Sequence, residues 1–220
     1  MPDLTLTFDN GPHPDVTPHV LEVLGRRGVR STFFVVGENL AAPDARALSE
    51  RAHAEGHWIG NHTWSHSVPL GERYGPGVAE EEIGRTQALL GELSHPDRLF
   101  RPFGRGGALG SHLLSPRAVD YLTAGGFTCV LWNAIPRDWA DPEGWVDAAL
   151  AQCLAQPWTV VVLHDMATGA MKHLDRFLGL VEDHGVQLRQ DFPSCCVPMV
   201  RGEITSSMEA YVSRPDEKVA

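Results

Sequence analysis

The sequence predicts an α/β chain whose parallel strands close, or nearly close, into a barrel. Three observations lead there. Strand-like and helix-like segments alternate from the first residues to about residue 188. The run Ser31-Thr32-Phe33-Phe34-Val35-Val36-Gly37 is apolar almost throughout and rich in β-formers, as befits a strand covered on both faces. Polar side chains able to do chemistry fall at the C-terminal ends of the strands, where α/β proteins gather their sites.

In chain order, residues 4–9 alternate and run apolar as a strand, and Asn10-Gly11-Pro12 stops it with turn chemistry. Thr17 and Pro18 supply a helix cap and a first-turn proline. Val20, Leu21, Val23 and Leu24 give that helix an apolar face, and Gly28 closes it. With the strand at 31–37 this makes a β-α-β unit. A helix over 44–55, a short strand at 57–60 and a helix over 78–93 bearing Ile83, Leu89 and Leu90 come next. Residues 99–101 form a strand with a charged end. After the Gly-rich stretch 104–110 follow helix 116–124, strand 127–132, helix 142–156, strand 159–164, helix 170–184 and a last strand at 186–188, seven strands in all. Glu80-Glu81-Glu82 reads as a solvated helix start favoured by the helix dipole. Residues 192–220 carry Pro, Ser and charge without periodicity. The organisation expected is one barrel domain over 1–191 and a tail over 192–220 that packs on it or frays.

A chain of 220 residues suffices for one domain with a sizeable core. Its 18 Lys and Arg against 28 Asp and Glu, a net charge of −10, argue against a nucleic-acid or anionic-membrane surface. The longest apolar runs, such as Val160-Val161-Val162-Leu163, are far too short to span a membrane, and no basic start with an apolar stretch precedes the first strand. A cytoplasmic protein is expected. Cys129, Cys153 and the adjacent Cys195-Cys196 lack both CxxC spacing and the density of a disulfide scaffold, so they read as reduced thiols.

The most informative stretch is Gly60-Asn61-His62-Thr63-Trp64-Ser65-His66. On one helical turn its two imidazoles would share a face and grip one divalent metal. Asp9 and Asn10 end the first strand, His62 and His66 follow the third, Arg101 ends the fourth, Asp138 follows the fifth and His164-Asp165 ends the sixth. In a barrel these ends meet around one mouth. Singly, each has a plainer reading, as a turn, a surface cation or a core histidine; together they point to one pocket.

At this point the sequence resembles the polysaccharide deacetylases of carbohydrate esterase family four, which act on chitin, chito-oligosaccharides, xylan and peptidoglycan. The resemblance runs from Thr7 to about Asp165. It rests on five motifs in the family's order: Thr7-Phe8-Asp9-Asn10-Gly11-Pro12, His62-Thr63-Trp64-Ser65-His66, Arg101-Pro102-Phe103-Gly104, Arg137-Asp138-Trp139 and Leu163-His164-Asp165. It implies a distorted (β/α)7 barrel, similar to a TIM barrel, and hydrolytic removal of acetyl groups from an N-acetylated amino sugar or oligosaccharide. It further implies a divalent metal, usually zinc, on Asn10, His62 and His66. Asp9 would be the general base and Arg101 its partner. His164 would be the general acid and Asp138 the group that aims it. Phe103 would give a backbone donor to the developing oxyanion, and Trp139 and Leu163 would form the slot for the acetyl methyl.

This chain departs from the family pattern in three places. Asn10 stands where an aspartate is usual, so a carboxylate ligand is replaced by a neutral amide, which still has an oxygen able to coordinate. The third motif is one residue short of Arg-Pro-x-aromatic-Gly and runs into Arg105-Gly106-Gly107, and Asn133 stands where an acidic residue is common. Arg105 and Arg137 are candidates to receive a substrate carboxylate. Two other functions stay open: metal-free hydrolysis of a small amide or imide, as in allantoin-acting relatives, and a degenerate barrel that binds carbohydrate without turning it over.

Overall fold

In the computed structural model, which describes residues 1–214, the sheet is organised around strand β1 (Asp3–Asp9), which bonds neighbours on both edges. Six further strands run parallel: β2 (Thr32–Val35), β3 (Trp58–Asn61), β4 (Leu99–Phe100), β5 (Thr128–Cys129), β6 (Trp158–His164) and β7 (Gln187–Arg189). The expected seven parallel strands are all present, and the order β6-β1-β2-β3-β4-β5 curls into a barrel. The helices are α1 (Thr17–Arg27), α2 (Gly37–Leu40), α3 (Ala45–Ala54), α4 (Arg85–Leu90), α5 (Pro116–Ala124), α6 (Trp145–Leu154) and α7 (Leu174–Asp183).

Two features distort the barrel. Strand β7 has no place of its own in the ring: it pairs Asp3 to Thr5 at the foot of β1, on the edge where β2 pairs Thr7 to Asp9. Between β5 and β6 there is no ladder. A single bridge, Ala134 to Val161, and the side chain of Asn133 close the seam instead. The Asn133 amide accepts the Val160 N–H at 2.7 Å and donates to the Trp158 carbonyl at 2.9 Å, doing for β6 what a strand edge would do. This gives Asn133 a structural role away from the cleft.

Alternation along the strands divides the interior from the helix-facing layer. Leu4, Leu6, Phe8, Val161 and Leu163 face outward and pack with Leu21 and Leu24 of α1 and Phe177 of α7. Each fully buried side chain of this kind stabilises the fold by about 1.5–3 kcal/mol. Thr5, Thr7 and Asp9 alternate with them and are buried on the opposite face.

Several expected elements differ for identifiable reasons. Thr17 does not cap α1; its hydroxyl donates to Asp165 at 2.5 Å and accepts the His13 N–H at 2.8 Å. Gly28 does close that helix, with φ 64°. The helix expected over 78–93 is broken into a π turn (Glu80–Gly84), α4 and a 3-10 turn (Gly91–Leu93). Helix α6 starts at Trp145 because Asp141 holds a turn by accepting the Gly144 N–H at 2.9 Å. The tail packs as far as it is described. Phe192 sits against Phe34 and Trp58, and β8 (Met199–Val200) pairs antiparallel with β5 and with β9 (Glu203–Ile204). Fraying of residues 215–220 lies outside the described residues. The four cysteines are free thiols, and burial pushes Cys129 up to about 12.

Candidate active site

Asp9, the last residue of β1, is 3% exposed. Arg101, just after β4, reaches it through the barrel interior: Nη1 donates to Asp9 Oδ1 at 2.8 Å and to Thr7 Oγ1 at 2.7 Å. Nε donates to the Val130 carbonyl at 3.2 Å, and the guanidinium lies 4.1 Å from the Phe34 ring centre. Arg101 is 0% exposed, so the surface-cation reading of it is excluded.

His62 and His66 are brought together, but not on a helical turn. Residues 62–66 form a loop in which Thr63 (φ 68°) and His66 (φ 49°) take left-handed backbone conformations. Its polar groups are accounted for by outside partners. The Thr63 and Trp64 carbonyls accept the Gly37 and Glu38 N–H groups at 2.9 and 3.0 Å, and the Trp64 and Ser65 N–H groups donate to Glu82 Oε2 at 3.1 and 2.9 Å. Glu82 Oε1 accepts from Ser65 Oγ at 2.8 Å and pairs with Arg73. Glu82 is therefore buried, 3% exposed, against the expectation of a solvated acidic run. It sits within the π turn, a distortion often found at functional sites. Sequence reasoning missed Glu82 because nothing in a Glu triplet marks the member that turns inward. Glu82→Leu should leave two N–H donors and Arg73 without their partner and lower unfolding free energy by about 3 kcal/mol in urea titration. Glu82→Gln, which keeps an acceptor oxygen, should lose less.

The two imidazole centres are 4.8 Å apart. His62 Nδ1 donates to the Arg101 carbonyl at 2.8 Å, which leaves the Nε2 lone pair, 3.5 Å from Asp9 Oδ2, available to a cation. Burial keeps His62 below the usual imidazole range. Burial, with His62 and His164 nearby, pushes His66 down to about 2. Both rings are thus in the neutral form that metals require. Asn10 (φ 75°) presents a buried Oδ1 with no hydrogen-bond partner among the described residues. An orphaned amide oxygen on a residue that lines the same cleft as two neutral imidazoles fits a divalent cation. Among the described residues no group of three or more His, Cys, Asp or Glu does so, because the third donor is an amide.

Across the cleft, His164 Nδ1 lies 2.8 Å from Asp138 Oδ1, while Asp138 Oδ2 accepts the His164 backbone N–H at 2.9 Å. Burial alone would lower this imidazole, but the hydrogen bond and charge of Asp138, with Asp9 and Asp165, hold it above the ordinary value. Trp139 packs edge-on to His164 at 4.8 Å, and Phe103 lies 3.9 Å from the His66 ring. Asp9, Asn10, His62, His66, Phe103, Trp139 and His164 line one cleft of about 210 Å³.

Leu163 does not line it. Strand alternation puts Leu163 in the helix-facing core and Val162, two residues before the end of β6, in the cleft wall beside His164. Trp132, Ile135 and Met166 also line it and carried no sequence signal. The short third motif folds as a tight turn, Gly106 at φ 65° and Gly107 at φ 82°, held by Trp132 Nε1 donating to the Gly107 carbonyl at 2.9 Å. Arg105 pairs with Glu72 at 2.8 Å, and neither it nor the exposed Arg137 lines the cleft.

A curled parallel barrel with a buried carboxylate, two neutral imidazoles and a third imidazole paired with an aspartate at its C-terminal mouth has the make-up of a hydrolytic site. Residues 2–109 match the family model described as polysaccharide deacetylase. A chitooligosaccharide deacetylase of Rhizobium leguminosarum bv. phaseoli is 36% identical over 173 residues, covering 74% of this chain and 68% of that protein. One from Sinorhizobium fredii is 34% identical, covering 74% and 72%. A family 4 carbohydrate esterase from Streptomyces lividans, solved with acetate, shares the fold at TM-score 0.71 and 24% identity, over 97% of this chain and 98% of that one. The chain belongs to the polysaccharide deacetylase family and is a hydrolase of carbon–nitrogen bonds other than peptide bonds.

Proposed function

We propose that this chain removes the acetyl group from an N-acetylated amino sugar or a soluble oligosaccharide of such sugars, with zinc bound by Asn10 Oδ1, His62 and His66. The observation that carries the reading is the meeting, in one cleft, of a buried carboxylate, an imidazole biased toward protonation and three donors suited to a cation. The chito-oligosaccharide-acting relatives support the amino-sugar substrate. When bound, zinc supplies Lewis acidity to the acyl oxygen and lowers the pKa of water.

The chain's own groups do the rest. Asp9, held in place by the Arg101 guanidinium, takes the proton of the attacking water. The backbone N–H of Phe103 donates to the developing oxyanion, an interaction of a kind worth roughly 3–4 kcal/mol. His164, aimed by Asp138, gives its proton to the departing amine. Trp139 and Val162 flank the acetyl methyl, with Val162 taking the place expected for Leu163.

Acetate release from N-acetylglucosamine oligomers and from N-acetylmuramic acid fragments, before and after chelation, tests this. Release that stops on chelation and returns with zinc is expected. Turnover of small amides that survives chelation, or no release from any acetylated sugar, would overturn it.

A further inference from the structure

The carboxamide of Asn10 has two different ends, and only its oxygen can bind a cation. Its main chain is held in place: φ is 75°, and Asn39 Nδ2 donates to the Asn10 carbonyl at 2.6 Å. Neither restraint chooses between the two orientations of the terminal amide, whose torsion is broad and roughly two-fold. The group that distinguishes them is Met166, two residues beyond His164. Its Sδ lies 3.1 Å from Asn10 Nδ2. A thioether accepts hydrogen bonds and never donates one. The reversed amide would set oxygen lone pairs against sulfur lone pairs and put an NH2 group where the unpartnered oxygen now lies. With the nitrogen on sulfur, Oδ1 is left buried and free of partners, as a ligand atom must be.

We infer that Met166 is a positioning residue whose sulfur selects the oxygen-inward orientation of Asn10 and so makes a neutral amide a competent metal ligand. The inference rests on the reading of Asn10 as a ligand given above. It carries a condition that packing alone does not: a carboxylate at position 10 has two equivalent oxygens and needs no such selection. Dependence on Met166 must therefore disappear when residue 10 is aspartate.

The test is zinc affinity of the full chain, stripped of metal and titrated against a competing chelator. Met166→Leu conserves volume but removes the acceptor, and should weaken zinc binding about tenfold, the lower end of the range for groups that orient a ligand. Met166→Gln, whose amide oxygen accepts the same N–H, should restore the wild-type affinity. In an Asn10→Asp background, Met166→Leu should leave affinity unchanged. Unchanged affinity in the Asn10 protein, equal loss in both backgrounds, or no zinc binding by the wild type would each overturn the inference. A protein that shows the expected zinc pattern yet releases no acetate would leave this role intact and remove only the proposed substrate.

Discussion

His164→Ala should lower turnover by roughly 10²–10⁴-fold, the usual contribution of a positioned acid–base group, while zinc content stays at the wild-type level. Both oxygens of Asp138 are engaged by the same residue, one on the His164 ring and one on its main-chain N–H, so position and proton are held together. The proposed mechanism uses His164 in its protonated form, so activity should fall as pH rises past the pKa of the ring, which Asp138 holds above the ordinary imidazole value. Asp138→Asn removes the charge that opposes burial. The imidazole pKa should then drop, and the alkaline limb of the pH–rate profile should move to lower pH. Turnover assays with metal analysis of both variants decide the matter. Equal loss of zinc in His164→Ala would mean that His164 is a ligand and not the acid.

The largest effect on stability is expected at Arg101. Arg101→Met should cost about 3–5 kcal/mol in urea unfolding, the range for breaking a buried ion pair from one side. The variant leaves Asp9 charged and buried, with Thr7 Oγ1 and the Val130 carbonyl also losing a donor. In the Asp9→Asn background the same change should cost clearly less, because no orphaned charge remains. Additive losses, or a loss below about 1 kcal/mol, would contradict this account of the barrel interior.

Much of the site could be read along the chain because strand-end positions are local facts. Asp9 follows an alternating run and stops at Asn10-Gly11-Pro12, and His164 ends a continuous apolar strand, so both were placeable without coordinates. The Leu163 assignment failed on a signal that was available: adjacent residues in a strand point to opposite faces, so Leu163 and His164 do not share the cleft. Spacing did not predict the backbone of residues 62–66. Two imidazoles four residues apart suit a helix, but Asn61, Glu82 and the start of α2 satisfy this segment's polar groups as a loop.

By itself the sequence determined the element order, the parallel barrel and the residues at its strand ends, because periodicity and turn chemistry act over a few neighbours. Only the tertiary structure decided that Glu82 is buried beneath the histidine loop and that Asn133 closes a seam. It also decided that His66 is neutral, that His164 is biased toward protonation and that the Asn10 amide oxygen is buried without a partner. Each of these depends on desolvation or on partners from other elements of the fold, quantities that exist only once the chain has closed on itself.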